Sequence, residues 1–189
     1  MLLRTLFSLT AVSFLGVPLA AGAATIHVPG DQPTIQAGIN AASAGDTVLV
    51  APGTYTGAGN RDLDFGGVNL TLLGEQGAGN TIIDCEGLAR GLNFHSGEDT
   101  TAVVQVFTIQ HAAADSGAGA MCSNYSTPRF LDCTFRLNAA TEYGGGVCCR
   151  NSASVFRNCT FEQNEVAGSA FPYGGAMALF PNSGVTVAD

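Results

Sequence analysis

The sequence predicts an all-β fold in which short parallel strands wind into a solenoid. Two observations support this prediction: a repeat of fixed length, and the absence of helical periodicity within that repeat. A Thr between two apolar residues occurs at Phe107–Ile109, Cys133–Phe135 and Cys159–Phe161, so that 26 residues separate Thr108 from Thr134 and Thr134 from Thr160. A period of this length is typical of stacked units that bury their apolar faces against one another.

A second sequence motif, in which glycine precedes apolar residues, repeats with the same period. Gly119–Cys122 matches Gly145–Cys148, again 26 residues on. Gly175–Ala178 follows after 30 residues, with four residues added around Ala167–Tyr173. The glycines predict a turn before another apolar strand in each unit.

Alternation along the triplet places Cys133 and Phe135 on one face of a strand and Thr134 on the other. An Asn stands three residues after Phe135 and again after Phe161. Because Asn tolerates a left-handed backbone, we expect these Asn residues to form sharp corners. Neighbouring turns of such a coil are about 4.8 Å apart, so equivalent residues should stack. The expected stacks are Thr134 on Thr160, Phe135 on Phe161 and Asn138 on Asn164.

The pairing of Phe161–Asn164 with Gly174–Met177 resembles the repeat of polymorphic outer-membrane proteins. More broadly, the chain resembles the right-handed parallel β-helix proteins of the pectin-lyase-like superfamily, and parallel crossovers are nearly always right-handed. The first repeats depart from the pattern, since Gly144–Val147 lacks the Ala and Ala112 replaces the Asn. The resemblance implies an exported passenger region that is joined to a translocating or anchoring C-terminal part.

Residues 1–23 are predicted to be a signal peptide, and residues 24–189 a single β-helix domain. Arg4 precedes an uncharged apolar run from Leu6 to Leu19, and Ala21–Ala23 is a small-x-small cleavage signal. No later run is apolar enough to cross a bilayer. We therefore expect a protein that is secreted or held at the cell surface or outer membrane.

A short capping helix is predicted near the N-terminus. Pro33–Ala42 has helical spacing, with Ile35, Ile39 and Ala42 on one face. Pro33 suits the first turn, and Gly45 suits the end. Since the open end of a solenoid exposes its core, this helix is expected to cover that end.

Roughly five coils are expected, where a coil is one turn of the solenoid. Leu70–Leu72 has the apolar-Thr-apolar pattern and is interpreted as an earlier copy of the triplet, with Thr71 lying 37 residues before Thr108. At the other end, Asp189 aligns with Cys159. We therefore expect the solenoid to be truncated at its C-terminal end. Further strands are predicted at Thr25–Val28, Gly45–Tyr55, Asp62–Phe65, Thr81–Asp84, Gly91–Phe94 and Val103–Ile109, and the second of these is expected to end in a Pro-Gly turn.

Composition restricts the possible partners. Only 12% of residues are charged and the net charge is −8, with Arg as the sole basic residue type apart from His. Nucleic acid and anionic membranes are poor partners for this balance of charge. A carbohydrate or a cell-surface protein remains compatible with it.

Six cysteines raise the question of disulfides, because export permits them. Cys122 and Cys148, and likewise Cys133 and Cys159, fall at equal positions of successive coils. We favour buried thiols, with disulfides as the alternative. Zinc is disfavoured, because the chain has no Cys-x-x-Cys and no His close to a Cys in sequence. The remaining cysteines are Cys85 and Cys149, and the histidines are His27, His95 and His111.

The resemblance to the pectin-lyase-like superfamily, which includes lyases and hydrolases, makes carboxylates and basic side chains the candidate catalytic residues. Two acidic pairs have i, i+2 spacing, and each pair could share one face of a strand. The arginines of the best-formed coils are expected to extend into water, and two histidines lie near corners. No catalytic, cofactor-binding or metal-binding residue is predicted from these patterns. The residues considered are Asp62 with Asp64, Asp84 with Glu86, Arg129, Arg136, Arg150, Arg157, His95 and His111.

These observations favour an exported, non-catalytic β-helix that serves as a scaffold for binding or adhesion. The alternative is a polysaccharide lyase, or another carbohydrate-active enzyme of the superfamily, whose active-site coils lie beyond the C-terminal end of this sequence.

Overall fold

The computed structural model describes residues 22–168 and 174–189. The predicted signal peptide, residues 1–23, lies almost entirely outside them. Within the described residues the strands pair in parallel from coil to coil, which confirms the predicted parallel β-helix. Right-handed winding stays a prediction. The one helix among the described residues is too short to cross a membrane.

The strands are short and form four sheets that run along the solenoid. Sheet 1 contains β1 (Thr25–Val28), β2 (Thr47–Val50), β5 (Thr71–Gly74), β8 (Val103–Gln105), β12 (Arg129–Leu131), β16 (Val155–Arg157) and β20 (Thr186–Ala188). Sheet 2 contains β3 (Gly53–Tyr55), β6 (Thr81–Asp84), β9 (Thr108–Gln110), β13 (Thr134–Arg136) and β17 (Thr160–Glu162). Sheet 3 contains β10 (Ala113–Ser116), β14 (Ala139–Tyr143) and β18 (Glu165–Val166). Sheet 4 contains β4 (Leu63–Asp64), β7 (Leu92–Phe94), β11 (Ala120–Cys122), β15 (Val147–Cys149) and β19 (Met177–Leu179).

From β2 onward, each complete coil passes through sheet 1, then sheet 2, and returns through sheet 4, with sheet 3 inserted from the coil that begins with β8. The solenoid makes about six turns, slightly more than the predicted five. Sheet 1 accordingly contains seven strands from β1 to β20, and α1 (Ile35–Ala41) leads from β1 into β2, its neighbour in that sheet.

The predicted stacking of the triplets is confirmed. Thr108, Thr134 and Thr160 are register partners in sheet 2. Phe135 is fully buried and its ring stacks on that of Phe161, with centroids 5.2 Å apart and planes 9° from parallel. Stacked rings of this kind continue the core from one coil into the next.

The interpretation of Leu70–Leu72 as an earlier copy of this triplet is wrong. Thr71 begins β5 in sheet 1 and pairs with Val103, whereas the register partner of Thr108 in the preceding coil is Ile82. The apolar-Thr-apolar pattern is shared by half-buried strands in general, so it does not identify which sheet a strand joins.

The predicted match of Gly119–Cys122 with Gly145–Cys148 is offset by one residue in the structure. Cys122 pairs with Cys149, and Cys148 pairs with Met121. The cause lies in sheet 3, where the register between β10 and β14 shifts so that Ser116 pairs with Tyr143. Cys122 and Cys148 therefore do not occupy equal positions. Of the residues added before Gly174, residues 169–173 lie outside the described part of the chain.

The corners are formed by other residues than predicted. Leu137 and Gln163, with φ of 55° and 50°, adopt the left-handed backbone, and the Asn that follows each does not. Asn138 is instead fully buried. Its Oδ1 accepts from the amide of Ala112 at 2.9 Å, and its Nδ2 donates to the carbonyl of Ile109 at 3.0 Å.

Asn164 repeats this arrangement one coil later. Its Oδ1 accepts from the Nδ2 of Asn138 at 3.0 Å, and its Nδ2 donates to the carbonyl of Phe135 at 2.8 Å. The two stacked amides form a ladder that supplies hydrogen bonds to main-chain groups at two successive bends.

The predicted capping helix is present and begins slightly later than expected. Thr34 is the N-cap, and its Oγ1 accepts from the amide of Ala37 at 3.2 Å, so Pro33 precedes the helix. The helix ends before Gly45, because Ala42 is already extended. Ile35 and Ile39 are buried, and α1 packs against β1, β2 and β4 at the first coil.

Replacing Asn138 with Ala should destabilise the protein by about 2–4 kcal/mol, because the Ala112 amide would lose its side-chain acceptor and the Ile109 carbonyl would lose the bond from Nδ2. Urea denaturation followed by circular dichroism measures the loss. The matched control is Asn80→Ala, since Asn80 makes one exposed bond to the carbonyl of Gln76 and should cost under about 1 kcal/mol. Equal losses in the two variants would contradict a stabilising ladder.

Candidate functional site

Two groups of connected polar side chains on the outer faces are candidates for a binding site. The first, which we call the α1 groove, lies between α1 and the turn that follows β4. The second, which we call the Asp84 ladder, lies on the outer face of sheet 2 and consists of Asp84, Gln110, His111 and Arg136. Each group combines residues from different coils.

The α1 groove is a depression of about 390 Å³. Its polar lining comes from Gln36, Asn40 and Asp64, and its apolar lining includes Ile39 and Val68. Small-molecule sites have this size range and this combination of apolar walls with few polar groups.

Hydrogen bonds fix the polar groups of the α1 groove. The side chain of Gln36 accepts from the amide of Asp64 and donates to its carbonyl, both at 2.9 Å. The Asp64 carboxylate accepts from the amide of Gly66 at 2.8 Å and lies 3.2 Å from Nε2 of His95. Asn40 accepts from Gln36 at 2.8 Å through its Oδ1, which leaves its amide nitrogen as a donor.

The Asp84 ladder joins three strands of sheet 2. Gln110 donates to Asp84 at 2.7 Å and accepts from Nε and Nη2 of Arg136 at 2.8 and 2.6 Å. His111 contributes Nδ1 at 3.0 Å from the Asp84 carboxylate. Outward-facing side chains on neighbouring parallel strands thus connect charged groups that belong to different coils.

The Asp84 carboxylate is stabilised in its ionised form. Burial alone would raise its pKa, but hydrogen bonds from Gln110, from the amide of Glu86 and from His111 outweigh burial and hold the pKa below its usual value of 3.8. The imidazole of His111 remains 44% exposed. The ladder presents a fixed imidazole beside a carboxylate and a guanidinium, a set that can form hydrogen bonds with polar ligands.

The acidic pairs do not act as pairs. Asp62 and Glu86 adopt left-handed backbone conformations of φ 53° and 59°, next to the strands that carry Asp64 and Asp84. The Glu86 carboxylate forms an ion pair with Arg61. Its backbone amide donates to the Asp84 carboxylate, so the two acidic side chains are not paired with each other.

Each strand aspartate is instead matched with a histidine from the next coil. Asp64 and His95 are 31 residues apart, and Asp84 and His111 are 27 residues apart. Sequence analysis missed both contacts, although the separations are close to one coil length. Aligning whole coils, rather than searching for local pairs, would have detected them.

Two of the four arginines that were expected to extend into water do not. Arg136 is held by Gln110, and Arg150 lies over the ring of Phe180, with 4.2 Å between the guanidinium carbon and the ring centroid. Arg157 is exposed, as predicted, and Arg129 is half-buried on β12. A guanidinium on a flat sheet can reach groups one coil away, which accounts for both exceptions.

The six thiols are free. Burial raises the pKa of Cys85 to about 12, so this thiol is unreactive at neutral pH. Among residues 22–168 and 174–189, no three His, Cys, Asp or Glu side chains are grouped closely enough to hold a metal ion.

Glu98 is fully buried and serves a structural role. Its carboxylate accepts from Ser126 Oγ at 2.7 Å and from the amides of Gly67 and Ser96 at 2.9 and 3.1 Å. Burial alone would raise its pKa, but these hydrogen bonds outweigh burial and lower the pKa below its usual value of 4.5.

Compared with known proteins, the chain matches no family model, no curated protein and no solved structure at a significant level. The resemblance to the pectin-lyase-like superfamily therefore holds for the β-helix fold, and membership of that superfamily stays a prediction.

Replacing Glu98 with Gln should cost about 2–4 kcal/mol at pH 7, because the amide cannot accept all three hydrogen bonds. Since folding lowers the pKa of Glu98, its stabilising effect is complete above pH 4.5 and is lost as the pH falls through the lower folded value. The difference from wild type should therefore shrink as the pH falls below 4.5. Urea denaturation at several pH values measures it, with the exposed Glu142→Gln as the control. A pH-independent difference would contradict this role.

Proposed function

We propose that this chain is an exported, non-catalytic β-helix that binds neutral carbohydrate in the α1 groove. The observation that carries the proposal is the arrangement of the groove, in which hydrogen bonds hold Gln36 and Asp64 in place before any ligand arrives. A fixed site binds at a lower cost in conformational entropy than a mobile one.

The chemistry of the groove suits sugar hydroxyls. The Asp64 carboxylate accepts hydrogen bonds, and the amide nitrogen of Asn40 donates them, so hydroxyl groups can bind to both. Ala42 and Val68, which are partly exposed, provide apolar surface for the C–H groups of a sugar ring. This combination of a few polar groups with apolar walls provides orientation as well as contact area.

Charge favours a neutral ligand over an acidic one. The chain carries a net charge of −8, and the groove itself contributes a carboxylate. A polyanionic polysaccharide would be repelled by both. Export rests on the predicted signal peptide, and a role at the cell surface rests on the resemblance to polymorphic outer-membrane proteins.

Binding should be measured by screening the purified protein against immobilised neutral and acidic glycans, then by titration calorimetry with the strongest neutral oligosaccharide. Asn40→Ala and Asp64→Ala should each weaken binding about tenfold or more, the cost of losing one to two kcal/mol of hydrogen bonding. Circular dichroism confirms that each variant is folded.

Two matched controls lie outside the lining of the groove. Asn80→Ala removes an exposed Asn, and Asp31→Ala removes a carboxylate that is paired with His27 at 3.0 Å, as Asp64 is paired with His95. Both should bind like wild type. Binding that the groove variants do not affect, or the absence of binding to every neutral glycan, would overturn the proposed site.

The enzymatic alternative has a separate test. Incubation with polygalacturonate and calcium should produce no absorbance from unsaturated sugars. Appearance of that absorbance would show lyase activity and contradict the non-catalytic role.

A further inference from the structure

Cys133 and Cys159 are neighbours in adjacent coils. Each immediately precedes a strand of sheet 2, and the following residues, Thr134 and Thr160, are register partners. The amide of Thr160 donates to the carbonyl of Cys133 at 2.8 Å. Adjacent strands are about 4.8 Å apart, which is within the range of Cα separations that a disulfide spans.

The two thiols have equivalent surroundings. The Cys133 thiol contacts the carbonyls of Leu131 and Val104, at 3.2 and 3.6 Å between sulfur and oxygen. The Cys159 thiol contacts the carbonyls of Arg157 and Phe130, at 3.4 and 3.5 Å. These carbonyls belong to register partners one coil apart. The side chains therefore stack in one column, and rotation about χ1 in one of them would bring the sulfurs together.

The two thiols differ in access. Cys133 is 1% exposed, whereas Cys159 is only partly buried. Hydrogen bonding from the Cys133 thiol lowers the pKa of Cys159 below its usual value, while burial raises the pKa of Cys133. Cys159 is thus the thiol that an external reagent reaches first.

Cys122 and Cys149 form a second stacked pair, but they differ in this respect. They are register partners, and both are fully buried. Hydrogen bonding with Cys122, together with burial, raises the pKa of Cys149. Neither thiol offers a point of attack to a reagent in solution.

We propose that Cys133 and Cys159 form an inter-coil disulfide when the folded chain meets a small disulfide oxidant. The Cys159 thiolate attacks one sulfur of glutathione disulfide, forms a mixed disulfide and releases one glutathione thiolate. Cys133 loses its proton and attacks the Cys159 sulfur, which releases the second glutathione. Two protein thiols are oxidised to one disulfide, and one glutathione disulfide is reduced to two glutathione molecules.

The test uses the reduced, folded chain, which is incubated with glutathione disulfide, quenched with N-ethylmaleimide and mapped by peptide mass spectrometry. The expected product has a peptide containing Cys133 linked to one containing Cys159, and two fewer alkylated cysteines than the reduced protein. The oxidised chain should melt about 5–10 °C above the reduced chain, as expected for a closed loop of this length.

Variants distinguish this pair from the others. Cys133→Ser and Cys159→Ser should each abolish the link and the shift in melting temperature, and Cys122→Ser should retain both. Complete alkylation after oxidation, a stable glutathione adduct on Cys159, or a link between other cysteines would each overturn the proposal. The peptide map of the wild-type chain decides the question even if a variant fails to fold.

Discussion

The structure depends on the alignment of equivalent residues in successive coils. Most strands are only two to four residues long, too short to persist alone, and each gains hydrogen bonds from the coils before and after it. Because the coils stack in register, equivalent inward-facing side chains lie directly above one another. Phe130 and Phe156, with ring centroids 4.8 Å apart and planes 4° from parallel, show how closely this repetition is kept.

Corners impose the second constraint. At three successive bends between sheets 1 and 2 one residue adopts a left-handed backbone, namely Val106, Asp132 and Asn158. The next bend has the same feature at His111, Leu137 and Gln163. Several of these residues are neither Asn nor Gly, so the conformation is imposed by the stacked strands on both sides. The buried amide of Asn138 compensates by bonding to main-chain groups of the neighbouring coil.

Local pattern was sufficient to predict the architecture, because alternation and a fixed period report directly on stacking. The same pattern did not predict the register of the strands where the number of residues per coil changes. An irregularity between Ala114 and Ser116 moves the register of sheet 4 by one residue, and it reassigns the partner of Cys122 from Cys148 to Cys149. No residue type in the sequence marks this shift, since it depends on how β10 and β14 accommodate the bend.

The candidate sites were predicted less well for a related reason. Asp64 and Asp84 were identified from sequence, but each was matched with an acid two residues away. Their contacts are with His95 and His111, which lie one coil further along. In a solenoid, side chains separated by a full coil are closer neighbours than many that are adjacent in sequence. Contacts of this kind are therefore visible only after the coils have been aligned.

Stacking is tested most directly by distances along sheet 1. Thr25 and Thr186 occupy one outer column and are separated by six strand-to-strand steps, while Thr71 and Thr186 are separated by four. Nitroxide labels on non-natural amino acids at these positions, which leave the native cysteines untouched, would be measured by double electron–electron resonance. Stacked coils predict separations of about 29 Å and about 19 Å. Distances that do not increase in proportion to the number of strands would contradict a solenoid of stacked coils.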